Sequence, residues 1–381
     1  MIYLDNNATT PLDPRVREVM LPFLGASFGN PSSAHAFGRI ARLAVERARG
    51  QVAALLHAAP EGIIFTSGGT ESINTAVRGA LAAQPGKRHV LTSSIEHSAT
   101  KNLCEQLARE GYEISLLPVD RSGSPDLEEY ARVLREDTAL VTMVWANNET
   151  GVLFPIEEMA RLADRRRVVF HADAVQAVGK ITIDLSAVPV HLLSLSAHKF
   201  HGPKGSGALY VRPGMGLPPL LRGGGQEGGR RAGTENVPGV VGLGEAAWWA
   251  GAALADEMPR VAALRDGFEN EVRARFPAAR FHGHPAHRLP NTTNLALPGF
   301  EAGGLLIGLD RLGVACSVGS ACSSGAPDAS HVLRAMGVSD DEARSSLRFS
   351  FSRMNTDAEA GVAVRALVEA AGRLGANSMG D

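Results

Sequence analysis

The sequence is poor in cysteine, with three among 381 residues. An odd and small number of cysteines, in a chain that does not open with a basic and apolar export signal, predicts reduced thiols and a cytoplasmic location. The sequence also lacks an excess of either charge, since 38 basic and 40 acidic residues leave a net charge of −2. We therefore expect no nucleic-acid partner and no electrostatic attachment to a membrane.

Long uninterrupted apolar runs are missing as well. The most apolar stretch, residues 237–255, contains Glu245 and several glycines, so we expect a buried helix there and no membrane span. Lysine is scarce, which makes any lysine in an unusual setting informative. The five lysines are Lys87, Lys101, Lys180, Lys199 and Lys204.

Seven apolar segments of β-type composition alternate with amphipathic helical segments between about residues 60 and 210. Strands joined by helices predict an α/β fold whose mainly parallel, seven-stranded sheet is covered by helices on both faces. We expect a large domain at residues 15–256. Residues 1–14 and 257–381 are predicted to form a smaller α+β domain. The predicted strands of the large domain are GIIFTS, HVLTSS, YEISLLPV, ALVTMVWAN, RVVFHADA, VHLLSLSA and GALYV.

Polar or reactive groups follow five of these strands, and ligands of such sheets bind beyond the carboxyl ends of the strands. Lys199 comes directly after a histidine at one strand end. If burial lowers its pKa, its amine can form a Schiff base with a carbonyl; the alternative is a solvated lysine that starts a loop. Asp173, at another strand end, either pairs with a cation such as a protonated pyridine nitrogen or caps a helix.

The remaining candidates also have two interpretations each. TSGGTES, at residues 66–72, offers a phosphate site at a helix start and equally fits a capping box. Cys322 is either a thiolate on a Gly/Ser-rich loop or a small buried cysteine. Arg348 could clamp a carboxylate or face solvent, and Arg353 competes with it for the same role. His282, His284 and His287 have metal-like spacing, but a polar loop is favoured because no cysteine or acid ligand is near.

Together these stretches resemble the cysteine desulfurases, a branch of the class V aminotransferases within the fold-type I enzymes that use pyridoxal 5′-phosphate (PLP). The resemblance runs nearly from end to end of the chain. It rests on the stretches YLDNNATTPLDP, FGNPSSAH, IIFTSGGTESIN, SSIEHSA, NNETGVLFPI, HADAVQAVGK, LSLSAHKFHGPKGSGALYVR, GGGQEGGRRAGTEN, GSACSSG and SHVLRAMG.

The resemblance implies a role for each matching residue. Lys199 would be the covalent attachment point of PLP, Asp173 would pair with its ring nitrogen, and Gln176 would bond its phenolic oxygen. His97 would stack on the ring and move protons, and Asn148 would lie near the substrate carboxylate, which Arg348 would clamp. Cys322 would accept the sulfur. The phosphate would be held by Gly69, Thr70, Ser196 and His198, with Thr234 reaching in from the second subunit of a homodimer.

The implied reaction converts L-cysteine to L-alanine and leaves a persulfide on Cys322. That sulfur would pass to an acceptor protein, either an iron–sulfur scaffold or a tRNA-thiolation enzyme. No resident metal is expected, apart from an iron–sulfur contact through Cys322 in a scaffold complex, and Cys316 is treated as auxiliary or structural. The long tail that some members use to bind a scaffold is not evident. Alternatives are a selenocysteine lyase, another class V PLP enzyme acting on a small amino acid, or a sulfur-relay protein without catalysis.

Overall fold

The computed structural model describes residues 1–318 and 329–377, without the side chains of residues 376 and 377. Its α-helices are α1 (Pro14–Met20), α2 (Ala36–Leu55), α3 (Gly69–Ala82), α4 (Ser98–Arg109), α5 (Leu127–Val133), α6 (Ile156–Arg165), α7 (Val237–Arg275), α8 (Ala302–Arg311), α9 (His331–Ala335), α10 (Asp340–Arg344) and α11 (Asp357–Asn377). Its strands are β1 (Ile2–Tyr3), β2 (Ile63–Thr66), β3 (His89–Ser93), β4 (Glu113–Leu117), β5 (Thr138–Val144), β6 (Val169–Asp173), β7 (Leu192–Ser196), β8 (Gly207–Val211), β9 (Arg280–His282), β10 (Thr292–Ala296), β11 (Val314–Ala315), β12 (Ser317–Val318) and β13 (Ser346–Ser350).

A seven-stranded sheet with the order β2-β8-β7-β6-β5-β3-β4 organises the larger part of the chain. Strands β7, β6, β5, β3 and β4 are parallel, and β8 runs antiparallel to both of its neighbours. All seven residues of β5 are buried, as expected for a central parallel strand covered on both faces. The predicted α/β fold and its seven strands are therefore confirmed.

Helices cover the two faces of this sheet because side chains alternate along each strand. Ile64 of β2 packs with residues of α3 and α4 on one face. Its neighbours Ile63 and Phe65 pack on the other face, in a core that includes residues of α2, α6 and α7. The two apolar cores hold the sheet rigid, and the loops at its carboxyl edge are positioned accordingly.

A second, antiparallel sheet with the order β12-β13-β10-β9 has an apolar core of its own. This core contains Leu4 from the N-terminal segment, packed with residues of α7, α8 and α11. The backbone of the N-terminal segment continues past β1 and pairs at Asp5 with Ser350 at the end of β13. The segment thus joins the smaller sheet before it reaches the larger one.

The long helix α7 runs through both parts of the molecule. Its first half packs in the core of the large sheet, and its second half packs in the core of the smaller one. The predicted domain boundary after residue 256 lies within this helix, and the division into two domains stays a prediction. Residues 237–255 form the first half of α7, whose buried residues end at Ala250 and whose Trp248 is exposed, and within the described ranges no helix is both long and apolar enough to cross a bilayer.

Candidate active site

The carboxyl ends of β2, β3, β5, β6 and β7 open onto one cavity of about 250 Å³. Groups from five strand ends that are far apart in the sequence are brought together there, at the edge where parallel sheets bind ligands. Apolar side chains of Ile73, Val144, Ala146 and Val175 form part of its wall. Nine of the residues predicted from the sequence also line it: Gly69, Thr70, His97, Asn148, Asp173, Gln176, Ser196, His198 and Lys199.

Lys199 ends a single 3₁₀ turn that directly follows β7. Its Nζ donates hydrogen bonds to the backbone carbonyls of Asn7 (2.6 Å) and Ala8 (2.9 Å). Burial, together with the positive charge of Arg348, lowers the pKa of Lys199 to about 8. About a tenth of the amine is therefore uncharged at pH 7, and this is the form that attacks a carbonyl.

Asp173 is the last residue of β6 and is almost completely buried. Its Oδ1 accepts a hydrogen bond from the backbone N–H of Val175 at 3.1 Å. Burial raises the pKa of its carboxyl group, while His97 and Lys199 act in the opposite direction. A buried carboxylate in the wall of a cavity favours a cationic ligand atom, because such an atom offsets the desolvation of the carboxylate.

His97 occupies the N-cap position of α4. Its Nδ1 accepts a hydrogen bond from the backbone N–H of Ala99 at 3.1 Å, so the proton of the neutral ring is on Nε2. Burial lowers the pKa of His97, although the charge of Asp173 opposes this shift and that of Lys199 adds to it. The ring is thus a neutral planar group at the cavity with a donor on Nε2.

The start of α3 forms a cradle that could hold an anion. The helix begins after Gly68, which has φ of 155° and no side-chain cap, so neither Ser67 nor Thr70 caps it. The first N–H groups of a helix and its dipole favour an anion at this end. A Cβ atom on Gly69 would lie 2.7 Å from Val175 Cγ2, so the wall at this point requires glycine.

Arg348, in β13, lies behind the cavity wall. Its Nη1 donates to the backbone carbonyl of Asn148 at 3.0 Å, and its Nη2 forms an ion pair with Asp5 at 2.7 Å. Within the described residues its Nε has no hydrogen-bond partner. Arg353, the competing candidate, pairs instead with Asp13 and lines a different cavity.

Arg348 and Thr234 are predicted residues that are not among the described residues lining this cavity. Thr234 is exposed and is not one of the described residues that line the cavity of its own chain. Cys322 belongs to residues 319–328, outside the described residues. Of the other cysteines, Cys104 and Cys316 are buried thiols, and burial raises the pKa of both, that of Cys104 to about 12. Neither thiol is activated as a nucleophile.

A family model described as Aminotransferase class-V matches residues 2–361 of the chain. The chain belongs to this family. It is 51% identical to cysteine desulfurase NifS of Azotobacter vinelandii over 359 residues, which are 94% of this chain and 89% of that protein. A solved structure of a NifS-like protein has a TM-score of 0.91 at 37% identity and covers 97% of this chain and 98% of its own. A structure of SspA in complex with cysteine has a TM-score of 0.83 at 35% identity, and the match covers 93% of this chain and 100% of that one. The resemblance inferred from the motifs is confirmed.

Sequence reasoning missed several residues of this member of the aminotransferase class-V family that contact the predicted ones. Asn7 accepts from Lys199 and also from Gln176, whose Nε2 lies 2.9 Å from the same carbonyl. Asp5 pairs with Arg348, and Lys180 donates to Gln176 at 2.7 Å. All three lie in stretches that carry the family resemblance. However, no local pattern in those stretches reveals a contact across 192 positions, such as that between Asn7 and Lys199.

The histidine cluster contributes no metal site. His284 accepts hydrogen bonds through Nδ1 from the backbone N–H groups of Ala286 and His287, which makes it part of a turn. Over residues 1–318 and 329–377, no group of three or more His, Cys, Asp or Glu side chains is arranged to hold a metal ion.

Proposed function

We propose that the chain is a cysteine desulfurase, which removes sulfur from L-cysteine, releases L-alanine and holds the sulfur as a persulfide on Cys322. The observation that carries the proposal is the single cavity at which Lys199, Asp173 and the α3 cradle meet. Its chemistry agrees with the family to which the chain belongs, and with relatives of about 50% identity that are named cysteine desulfurases.

The cavity fits PLP as the cofactor. A buried carboxylate, an amine with a lowered pKa and a glycine-walled helix start match the ring nitrogen, the aldehyde and the phosphate of PLP, respectively. When bound, PLP supplies an electron sink that stabilises negative charge on the substrate carbons. Lys199, Asp173 and Gln176 would hold its aldehyde carbon, ring nitrogen and phenolic oxygen. Gly69, Thr70, Ser196 and His198 would hold its phosphate.

The protein's own residues account for substrate binding and proton transfer. Arg348 supplies positive charge for the substrate carboxylate, next to the backbone of Asn148. Lys199 can accept the Cα proton of the substrate, because its pKa of about 8 places it near neutrality. His97, neutral and protonated on Nε2, can exchange a proton at the cavity.

Sulfur transfer requires a nucleophile on the protein. The Cys322 thiolate attacks the substrate sulfur, and a sulfur–sulfur bond forms as the carbon–sulfur bond breaks. The carbon skeleton keeps that bond's electron pair, takes up a proton and leaves as L-alanine. The persulfide sulfur then moves to an acceptor protein, which we propose is an iron–sulfur scaffold or a tRNA-thiolation enzyme.

The active form is proposed to be a homodimer, with Thr234 completing the phosphate site of the second subunit. Two observations support this. Thr234 is exposed on its own chain, and apolar side chains near α2 face solvent. Phe37, Ile40 and Leu43 lie along one face of α2, and Phe28 stacks on Phe37 with ring centroids 5.4 Å apart.

The test is to supply L-cysteine and a reducing thiol to the PLP-loaded protein and to measure alanine and sulfide. We expect equal amounts of both from the unmodified chain. Cys322→Ala should keep the visible absorption of bound PLP and lose sulfide release, whereas Lys199→Ala should lose both. Cys104→Ala, at a buried cysteine outside the cavity, is the matched control and should remain active.

Sulfide release by Cys322→Ala at the unmodified rate would contradict the persulfide step. Selenocysteine serves as a second substrate in the same assay. Turnover of selenocysteine without turnover of cysteine would identify the chain as a selenocysteine lyase and overturn the proposal. Mass spectrometry of acceptors labelled by the persulfide would distinguish a scaffold from a thiolation enzyme.

A further inference from the structure

Lys180 is a buried lysine. Its residue is 7% exposed, and within the described residues no carboxylate forms an ion pair with it. Its Nζ donates to Gln176 Oε1 at 2.7 Å and to Asn7 Oδ1 at 3.4 Å. A lysine is rarely buried in this way, because removing the ammonium group from water is costly. Its position therefore calls for an explanation.

The surrounding charges show that Lys180 is not there to neutralise an acid. Burial lowers its pKa well below the ordinary value, and the cationic groups of Lys199 and Arg348 act in the same direction. A lysine in these surroundings acts as a hydrogen-bond donor, whether or not its third proton is present.

The acceptor of the hydrogen bond from Lys180 is the side-chain amide of Gln176. Gln176 lines the cavity, and its two amide ends differ: Oε1 only accepts, and Nε2 only donates. Lys180 contacts the Oε1 end, while the carbonyl of Asn7 accepts from the Nε2 end at 2.9 Å. Both contacts select the same orientation of the amide. One of the two Nε2 hydrogens bonds Asn7, and the second remains for a ligand.

We propose that Lys180 is a positioning residue that fixes the amide of Gln176 with its N–H donor toward the cofactor. The inference rests on the proposed function, because it takes the phenolic oxygen of PLP as the acceptor of that N–H. Lys180 is not one of the residues that line the catalytic cavity. It borders an adjoining cavity of about 30 Å³, which Lys199 also lines, and its hydrogen bond to a residue of the catalytic cavity is the one to Gln176.

Asn7 alone would not fix the amide. Without Lys180, Gln176 Oε1 would be a buried carbonyl oxygen without a donor, and such a group turns toward whatever donor is within reach. The last side-chain torsion of Gln176 rotates easily, so its N–H would no longer point toward the cofactor. Lys180 thus supplies the hydrogen bond that the Oε1 end of the Gln176 amide needs, while Asn7 satisfies the Nε2 end.

The test uses the visible absorption of the PLP-loaded protein, titrated with pH in the absence of substrate. A hydrogen bond donated to the phenolic oxygen withdraws electron density from the chromophore and lowers the pH at which it loses its proton. Gln176→Met and Lys180→Met should therefore each raise the titration midpoint by about 0.5–1 pH unit. Lys180→Arg retains a donor and should have a midpoint near that of the unmodified protein.

The double variant Gln176→Met/Lys180→Met makes the test specific. If Lys180 acts through Gln176, the titration midpoint of the double variant should equal that of Gln176→Met, without a second shift. Lys101→Met, at an exposed lysine, is the control and should not move the midpoint. Lys180→Leu replaces Lys180→Met if the latter does not fold.

An unchanged midpoint in the apolar Lys180 variants, or additive shifts in the double variant, would overturn the inference. An unchanged midpoint in Gln176→Met would overturn it as well, because the phenolic oxygen would then not be the acceptor. The proposed function is judged separately, by alanine and sulfide release from the unmodified chain. The two measurements thus distinguish a failure of the inference from a failure of the proposed function.

Discussion

At the scale of single residues, burial controls the chemistry of the site. Lys199, Asp173 and His97 all have pKa values moved toward the uncharged form of the side chain, and burial is the largest cause for each. Neighbouring charges then adjust the pKa of Lys199, because the positive charge of Arg348 lowers it and the negative charge of Asp5 raises it. The reactivity of Lys199 is therefore a property of its surroundings.

The pH dependence of cofactor incorporation should report the pKa of Lys199. In the PLP-free protein, the rate of PLP attachment should rise between pH 7 and pH 9 with a midpoint near 8, because only the unprotonated amine reacts. Arg348→Gln should move the midpoint up, and Asp5→Asn should move it down. Stopped-flow absorbance measures the rate, and Arg311→Gln, at an exposed arginine, is the control. If neither Arg348→Gln nor Asp5→Asn moves the midpoint, these charges do not control the pKa of Lys199.

Glu96, next to His97, is a second residue whose ionisation is controlled by burial. Its Oε1 accepts hydrogen bonds from Ser93 and from the backbone N–H of Val144, while its Oε2 has no partner within the described residues. Burial raises the pKa of its carboxyl group from the ordinary value of 4.5 to about 8. Near neutral pH this carboxyl group is therefore largely protonated, and it behaves like an amide.

Glu96→Gln should accordingly change how stability depends on pH. Below about pH 4.5 the carboxyl group is protonated in both the folded and the unfolded protein, so the variant and the unmodified chain should be equally stable. As the pH rises toward 8, the unfolded carboxyl loses its proton first, and the unmodified protein loses stability that the variant keeps. The difference should grow to at most about 5 kcal/mol. Denaturant unfolding at several pH values measures it, and a difference independent of pH would contradict the prediction.

At the scale of elements, a buried ion pair anchors the segment GGGQEGGRRAGTEN, residues 223–236, to the sheet. Arg49 of α2 makes a bidentate contact with Glu227, at 2.8 and 2.9 Å, and Glu227 also accepts from the backbone N–H of Phe65 in β2. Glu227 adopts φ of 50°, in the left-handed region that disfavours a residue with a Cβ atom. The three hydrogen bonds stabilise this conformation, and they hold the segment that leads to Thr234.

Removing one member of this pair should be strongly destabilising. Glu227→Gln leaves the buried guanidinium of Arg49 without its counter-charge, so we expect a loss of about 3 kcal/mol in the free energy of unfolding. Glu46→Gln removes the exposed partner of the same arginine and should cost less than about 1 kcal/mol. Chemical denaturation compares the two variants. Equal losses would show that burial does not determine the contribution of this ion pair.

At the scale of the whole molecule, the N-terminal segment connects the two sheets at the site. Asp5 pairs with Arg348 of the smaller sheet, and two residues later the carbonyl of Asn7 accepts from Lys199 of the larger one. The proposed substrate clamp and the proposed cofactor lysine are thus set relative to each other by one short stretch of backbone. The proposed second subunit would add Thr234 to the same site.

A subunit-mixing experiment tests the dimer. Thr234→Ala and Lys199→Ala are each expected to impair every site of their own homodimer. In a mixed dimer, one of the two sites has an intact lysine facing an intact threonine, so mixing the inactive or weakened variants should restore activity to that site. Sedimentation should show a dimer for both parents. No gain on mixing, with subunit exchange demonstrated, would exclude a shared site.

The sequence by itself determined the α/β fold, the strands and which strand ends carry reactive groups. This succeeded because apolar periodicity and strand–helix alternation are local properties, and because the motifs around Lys199 and Asp173 are long. Only the tertiary structure decided that Lys180 touches Gln176, that Asp5 pairs with Arg348 and that α7 continues through the predicted domain boundary. Such contacts, and the pKa values that follow from them, depend on burial and on distances between residues remote in the chain. No local pattern encodes either quantity.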